Sequence, residues 1–171
     1  MKPKLNQLPK VPKAPKLLGW REWVSLPGLG IETIKAKVDT GARTSSLHAF
    51  DVVEYREGKQ DMVRFKVHPE QRNSKLTVQT RAPICDWRSV KSSSGQSEER
   101  PVILTTLEIH GVRWEAELTL TRRDEMGFRM LLGRQATRKR FLVDPGASFI
   151  NGARSKAKKR LAKSSLKRNS S

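Results

Sequence analysis

Apolar residues recur at every second position, or in short unbroken runs, along most of the chain between residues 20 and 132. A period of two puts alternate side chains on one face of an extended strand. The stretches are Trp20–Leu26, Ile31–Val38, Leu47–Tyr55, Met62–Val67, Leu76–Arg81, Pro101–Ile109, Val112–Leu120 and Arg129–Leu132. Pro27-Gly28, Glu57-Gly58, His68-Pro69 and His110-Gly111 punctuate them with residues that favour turns. Thr106–Ile109 and Val112–Leu120 flank His110-Gly111 and predict a hairpin. Only Arg134–Arg140, just after Gly133, reads as a helix. Lys91–Arg100 (KSSSGQSEER) is polar and long for a hairpin connection, which predicts a mobile element. The pattern as a whole predicts a small barrel or sandwich of short antiparallel strands.

Charge changes the picture at the two ends. The 171 residues carry 35 Lys and Arg against 17 Asp and Glu, a formal net charge of +18. Lys2, Lys4, Lys10, Lys13 and Lys16 meet no acid in residues 1–18. Arg154, Lys156, Lys158, Lys159, Arg160, Lys163, Lys167 and Arg168 meet none in residues 151–171. Residues 19–150 keep a net charge of only +5. The prolines of KPKLNQLPKVPKAPK interrupt any helix, and ARSKAKKRLAKSSLKRNSS has two leucines with which to bury a face. The expectation is a domain over 19–150 between disordered basic arms, 1–18 and 151–171. Such arms either attract RNA, DNA or acidic protein or serve as solvated ends.

Several classes of chemistry find no support. No apolar run reaches the ~20 residues that span a bilayer, and the Lys- and Pro-rich start lacks the apolar core of a secretory signal. A cytoplasmic protein without membrane contact is expected. Cys85 is the only cysteine, so an intramolecular disulfide and a cysteine-based zinc finger are excluded. Within Pro83-Ile84-Cys85-Asp86-Trp87 it reads as a buried, inert thiol. His48, His68 and His110 are far apart and outside any H-E-x-x-H pattern, and no phosphate-cradling glycine loop is present.

One segment offers chemistry. Ala36-Lys37-Val38-Asp39-Thr40-Gly41-Ala42-Arg43-Thr44-Ser45-Ser46-Leu47 is an apolar strand that ends in a carboxylate, a glycine turn and a run of small hydroxyls. Glycine lets the turn close tightly and brings backbone amides to the carboxylate, and Thr40 can fix a neighbouring loop. Alone, this is also an ordinary Asx turn. Arg129-Met130-Leu131-Leu132-Gly133-Arg134 adds a second apolar strand that ends in Gly-Arg and leads into the helix.

In this order the two segments resemble the retropepsin-like aspartic proteases, over about residues 19–150. The resemblance implies an all-β fold: a small closed antiparallel barrel with one short C-terminal helix. It also implies a flap around Ala82–Val102 and a last strand at Phe141–Val143. Asp39 would be catalytic, Thr40, Gly41 and Ala42 would shape its turn, and Leu132, Gly133 and Arg134 would support it. Gly19-Trp20-Arg21-Glu22-Trp23, together with Lys35–Ser45, looks like a bacterial branch labelled ATP-dependent zinc protease. Some members of that branch occur with glutamate ligases that modify a ribosomal protein. The chain carries no motif for ATP or zinc, so no cofactor is expected.

Aspartic proteolysis uses two carboxylates that share one proton. One Asp-Thr-Gly-Ala turn per chain therefore implies a homodimer with two Asp39 side chains at its twofold axis. Val143-Asp144-Pro145-Gly146-Ala147 echoes the turn, but proline replaces the hydroxyl and little chain follows to build a second lobe. The echo reads as coincidence. Arg43 can pair with an acidic side chain of a substrate or form a structural ion pair. The expected partner is an acidic peptide or protein, such as a glutamate-extended ribosomal protein, with a glutamate ligase and nucleic acid as further partners. The other function classes are a ribosome- or nucleic-acid-binding protein on this scaffold and a regulatory module for a modifying enzyme.

Overall fold

A computed structural model describes residues 14–71, 73–91, 94–122 and 127–150. The expectation of disordered basic arms, so far as it concerns residues 1–13 and 151–171, falls outside the described residues. The elements are β1 (Lys16–Gly19), β2 (Arg21–Leu26), β3 (Ile31–Val38), β4 (Ser45–His48), β5 (Phe50–Glu57) and β6 (Gln60–Val67). They continue with β7 (Val78–Lys91), β8 (Ser97–Ile109), β9 (Val112–Thr121), β10 (Met130–Leu132), α1 (Arg134–Thr137) and β11 (Phe141–Asp144).

The large sheet runs β2-β3-β10-β4-β9-β8-β7-β6-β5, and β2 also pairs with β8. That extra pairing, Ser25 opposite Glu108, closes β2, β3, β10, β4, β9 and β8 into a six-stranded barrel. Closure removes the open edges that a short sheet would expose. β7, β6 and β5 extend the sheet beyond β8. Alternation along β2 and β3 sends Val24, Leu26, Ile34 and Ala36 inward, where they meet Leu47, Ile103, Leu118, Met130 and Leu132 in one core. β1 and β11 form a separate two-stranded parallel sheet.

The closed barrel and the short helix agree with the expected fold, and several details refine it. Two barrel seams, β3–β10 and β4–β9, are parallel, because β10 and β9 return from distant parts of the chain to lie beside strands near its start. Leu47–Tyr55 is two strands, broken at Ala49, and the register of β5 shifts around Asp51, whose φ is +49°. The polar stretch Lys91–Arg100 contains strand at both ends: Lys91 closes β7, and Ser97–Arg100 pair with Arg88–Lys91, extending the β7–β8 hairpin through the expected flap. Polar side chains suit that hairpin because one face of its outer half is exposed and the other, at Arg88 and Val90, only partly covered. The helix closes after four residues rather than seven, and Lys139 with φ +65° turns the chain into β11. Lys16–Leu18, assigned to the N-terminal arm, are strand paired with Phe141–Val143. His110 and Gly111, at φ +57° and +71°, form the two-residue turn that joins Ile109 to Val112.

Candidate active site

β3 carries Asp39 to the end of the barrel, where the strand stops and the chain turns back. The Asp39 amide donates to the Leu132 carbonyl at 2.8 Å, tying the turn to β10. Asp39 Oδ1 accepts from the Gly41 amide at 3.0 Å and the Ala42 amide at 3.1 Å. The carboxylate is thus fixed by its own turn through one oxygen, and the residue stays half-exposed. Thr40, Gly41 and Arg43 are exposed and Ala42 is half-buried. Substituting Gly41 would add a Cβ 3.3 Å from Asp39 Oδ1, against the atom that the turn amides hold.

The second segment braces this turn. Gly133 follows β10 and lies so close to Thr44 that a Cβ would stand 2.5 Å from the Thr44 backbone carbonyl group. The Gly133 amide donates to buried Ser45 Oγ at 3.0 Å. Arg134 adds two kinds of contact: its amide donates to the Ala42 carbonyl at 2.9 Å, and its Nη1 donates to the Thr40 and Gly41 carbonyls at 3.0 and 2.9 Å. A guanidinium across two turn carbonyls holds the backbone in the conformation that presents Asp39. Leu132 is buried beneath. The structure therefore brings Asp39, Thr40, Gly41, Ala42, Leu132, Gly133 and Arg134 together. Arg43 joins them through its carbonyl, which accepts from the Gln135 amide at 3.1 Å. Among the described residues its side chain forms no ion pair. Ser45 is a bracing residue that the sequence did not single out, although its place in the hydroxyl run after the turn was the available signal.

The same local turn occurs a second time. Gly146 donates to Asp144 Oδ1 at 2.8 Å, and the Ala147 amide donates to the Asp144 carbonyl at 3.3 Å. In the Asp39 turn the corresponding amide-to-carbonyl contact, Ala42 to Asp39, is also 3.3 Å. β11 pairs in parallel with β1, which ends in Leu18-Gly19, just as β3 pairs in parallel with β10, which ends in Leu132 and is followed by Gly133. A Cβ on Gly19 would stand 2.3 Å from the Ala147 carbonyl oxygen. Reading the echo as coincidence is therefore corrected at the level of local geometry: both turns need an Asx carboxylate and a glycine-ended parallel neighbour. They differ in what surrounds them. Pro145 has no hydroxyl, no arginine among the described residues spans the carbonyls of the second turn, and Arg21 lies over the Trp20 and Phe149 rings.

The other candidate groups stay apart from Asp39. Among the described residues no three His, Cys, Asp or Glu side chains gather where they could hold a metal ion. A resident zinc thus finds no ligand set in them. Cys85 is exposed rather than buried, with its Sγ donating to the Val102 carbonyl; burial of its sulfur still raises the thiol pKa, so it stays protonated. No helix among the described residues is long and apolar enough to cross a membrane.

Fold and turn together define an aspartic-protease scaffold. The family described as "Retropepsin-like aspartic endopeptidase RimB" matches residues 17–154, and the chain belongs to this RimB-like family. It is 46% identical over 136 residues to a "Probable alpha-L-glutamate ligase" of Shewanella pealeana, covering 80% of this chain and 30% of the relative. A protein of the same description from Parasynechococcus marenigrum is 47% identical over 136 residues, covering 80% and 29%. The chain thus spans about a third of the length of these relatives. Among solved structures it resembles a Legionella pneumophila protein of unknown function, with a TM-score of 0.68, 26% identity and coverage of 81% of this chain and 100% of that one.

Proposed function

We propose that the chain is an aspartic endopeptidase whose site forms when two copies meet at their Asp39 turns. The observation that carries this reading is the braced turn: one carboxylate oxygen held by the Gly41 and Ala42 amides, with Arg134 across the Thr40 and Gly41 carbonyls. In the dimer the two carboxylates share one proton, because close like charges resist joint ionisation. The ionised one draws a proton from a water molecule, which attacks the peptide carbonyl carbon. The protonated one donates to the carbonyl oxygen and so stabilises the tetrahedral intermediate. Proton transfer to the departing amine then breaks the C–N bond. β1 and β11 supply a surface for the second copy: Leu17 and Leu142 stand opposite each other and are 43% and 59% exposed.

The substrate proposed is a glutamate-rich stretch, such as a glutamate-extended tail of a ribosomal protein, with a glutamate ligase as the working partner. The net charge of +18 and the description of the relatives as probable glutamate ligases support this. The cellular site proposed is the cytoplasm. The second reading, a non-catalytic module that accompanies a ligase or binds nucleic acid, draws on the fact that relatives carry this region as about a third of a longer protein.

Digestion of a peptide library, read by mass spectrometry, separates the two readings. The wild type should release products, and Asp39→Asn, which removes both carboxylates of the shared pair, should lower the rate by at least about a thousandfold. Cleavage that survives Asp39→Asn would overturn the catalytic assignment.

A further inference from the structure

On the outward face of β2 and β3, Arg21 stands opposite Lys37 and Trp23 opposite Lys35. Lys35 Nζ lies 5.3 Å from the Trp23 ring centroid and 5.6 Å from that of Phe149. The Arg21 guanidinium lies 4.6 Å from the Trp20 ring and 4.9 Å from that of Phe149. Lys37 is exposed, two residues before Asp39. No described carboxylate forms an ion pair with Arg21, Lys35 or Lys37; the ion pairs of the described residues join other groups. Of the acids on this side of the barrel, Glu108 is already paired with Arg113, Glu70 accepts from Asn73 Nδ2 at 2.6 Å beside the cavity below Lys35, and Glu32 lies beyond Lys35, away from Asp39. Below Lys35 the face opens into a cavity of about 400 Å³, lined by Trp23, Ile31, Lys35, Glu70, Leu76 and Val78 among others.

We infer that this face is a docking surface for an acidic polypeptide, laid in extended form along β3 toward the Asp39 turn. Lys35 and Lys37 are two residues apart on one strand, so their side chains repeat every ~6.6 Å. That is also the repeat of alternate side chains on an extended peptide. A carboxylate at every second residue of the guest would meet first Lys37 and Arg21 and then Lys35. The aromatic rings hold Arg21 and Lys35 in place rather than leaving them free to sample solvent, which lowers the entropy lost on binding. The rings also argue for a peptide over a single-stranded nucleic acid. Trp23 is stacked on Phe149 at 5.4 Å, and Trp20 meets Arg21 on its face and Phe128 at an edge-on angle, so the platforms that bases would use are taken.

This inference deepens the peptidase reading by naming where its acidic substrate is gripped outside the catalytic turn. It is tested by binding, so it stands or falls apart from cleavage. The full chain carrying Asp39→Asn is titrated with a fluorescent octaglutamate at about 0.15 M salt and read by anisotropy, with oligothymidylate of equal charge as the second probe. Lys35→Gln with Lys37→Gln is compared with Lys59→Gln and Lys139→Gln, a pair that removes the same charge elsewhere. Circular dichroism checks that both are folded. The first pair should weaken octaglutamate binding about tenfold, the second less than about twofold, and oligothymidylate should change less than about twofold in both. Equal losses for the two pairs would make the effect one of net charge alone. An equal loss for oligothymidylate would make the face a general polyanion site, and unchanged or undetectable octaglutamate binding would remove it as a docking surface. Any of these results overturns the inference.

Discussion

Asp39 is held by atoms that cannot be exchanged one at a time. The Gly133 amide needs Ser45 Oγ, and the Gly133 Cα leaves no room for a methyl group because the Thr44 carbonyl group would lie 2.5 Å away. Gly133→Ala must push β10 or the Thr44 backbone aside, and neither is a flexible side-chain end. The expected cost is about 3 kcal/mol, typical of forced overpacking in a tight interior. Urea denaturation should show it as a lower midpoint with an unchanged slope. Arg134 acts differently, since it is exposed and its side chain holds the turn through two carbonyls, while its backbone amide contact to Ala42 survives substitution. Arg134→Met should cost about 1 kcal/mol or less in stability but lower kcat by at least about tenfold, because the carboxylate loses its fixed position. If stability and kcat fell in proportion, the bracing role would be refuted.

At the scale of elements, much was legible and the misses share a cause. β2, β3, β9 and the His110-Gly111 turn follow directly from alternation and from the left-handed tolerance of their turn residues. The Asp39 and Gly133 segments were found as a pair because their chemistry is local. What alternation could not supply is pairing across long separations. β2 meets β8 through one residue pair, β1 joins β11 across more than a hundred residues, and neither contact leaves a mark in its own segment. Within the expected flap, alternation does not mark the strand residues Lys91 and Ser97–Arg100, because their side chains are all polar and offer no apolar period. β1 was likewise hidden among lysines and prolines. Its junction with β2 depends on Glu22, a buried carboxylate that accepts from the Gly19 amide at 2.8 Å and the Ile150 amide at 3.1 Å. Glu22 Oε2 also lies 3.7 Å from His110 Nε2. Burial pushes His110 below its ordinary value of 6.5, outweighing the upward pull of Glu22, and Lys16 adds to the depression. The fold therefore favours neutral His110, while the unfolded chain takes up that proton at higher pH. Stability is complete above about pH 6.5 and is lost as pH falls through the depressed folded value. Thermal melts between about pH 7 and pH 5 should show a falling Tm, and His110→Asn, which suits the positive φ at that position, should flatten the fall. An equal fall in the variant would place the acid sensitivity elsewhere.

For the whole molecule, charge and symmetry make separate predictions. A chain at +18 should capture an acidic substrate faster at low salt, since exposed attraction is screened beyond a Debye length of ~8 Å at 0.15 M. Cleavage of a glutamate-rich peptide should slow as salt rises, mainly through kcat/KM, while a neutral peptide should respond little. Equal salt responses would remove charge from the account of substrate choice. Symmetry is tested by mixing. When wild type is combined with an equal amount of Asp39→Asn and allowed to re-equilibrate, a site built from one Asp39 of each copy leaves only a quarter of the dimers intact. Activity per wild-type chain on a glutamate-rich peptide should then fall to about half, and further with more variant. Activity that stays proportional to wild-type chain at every ratio would mean that one chain holds the whole site. The homodimer would then be contradicted, and the second turn at Asp144 would become the place to look for the other carboxylate.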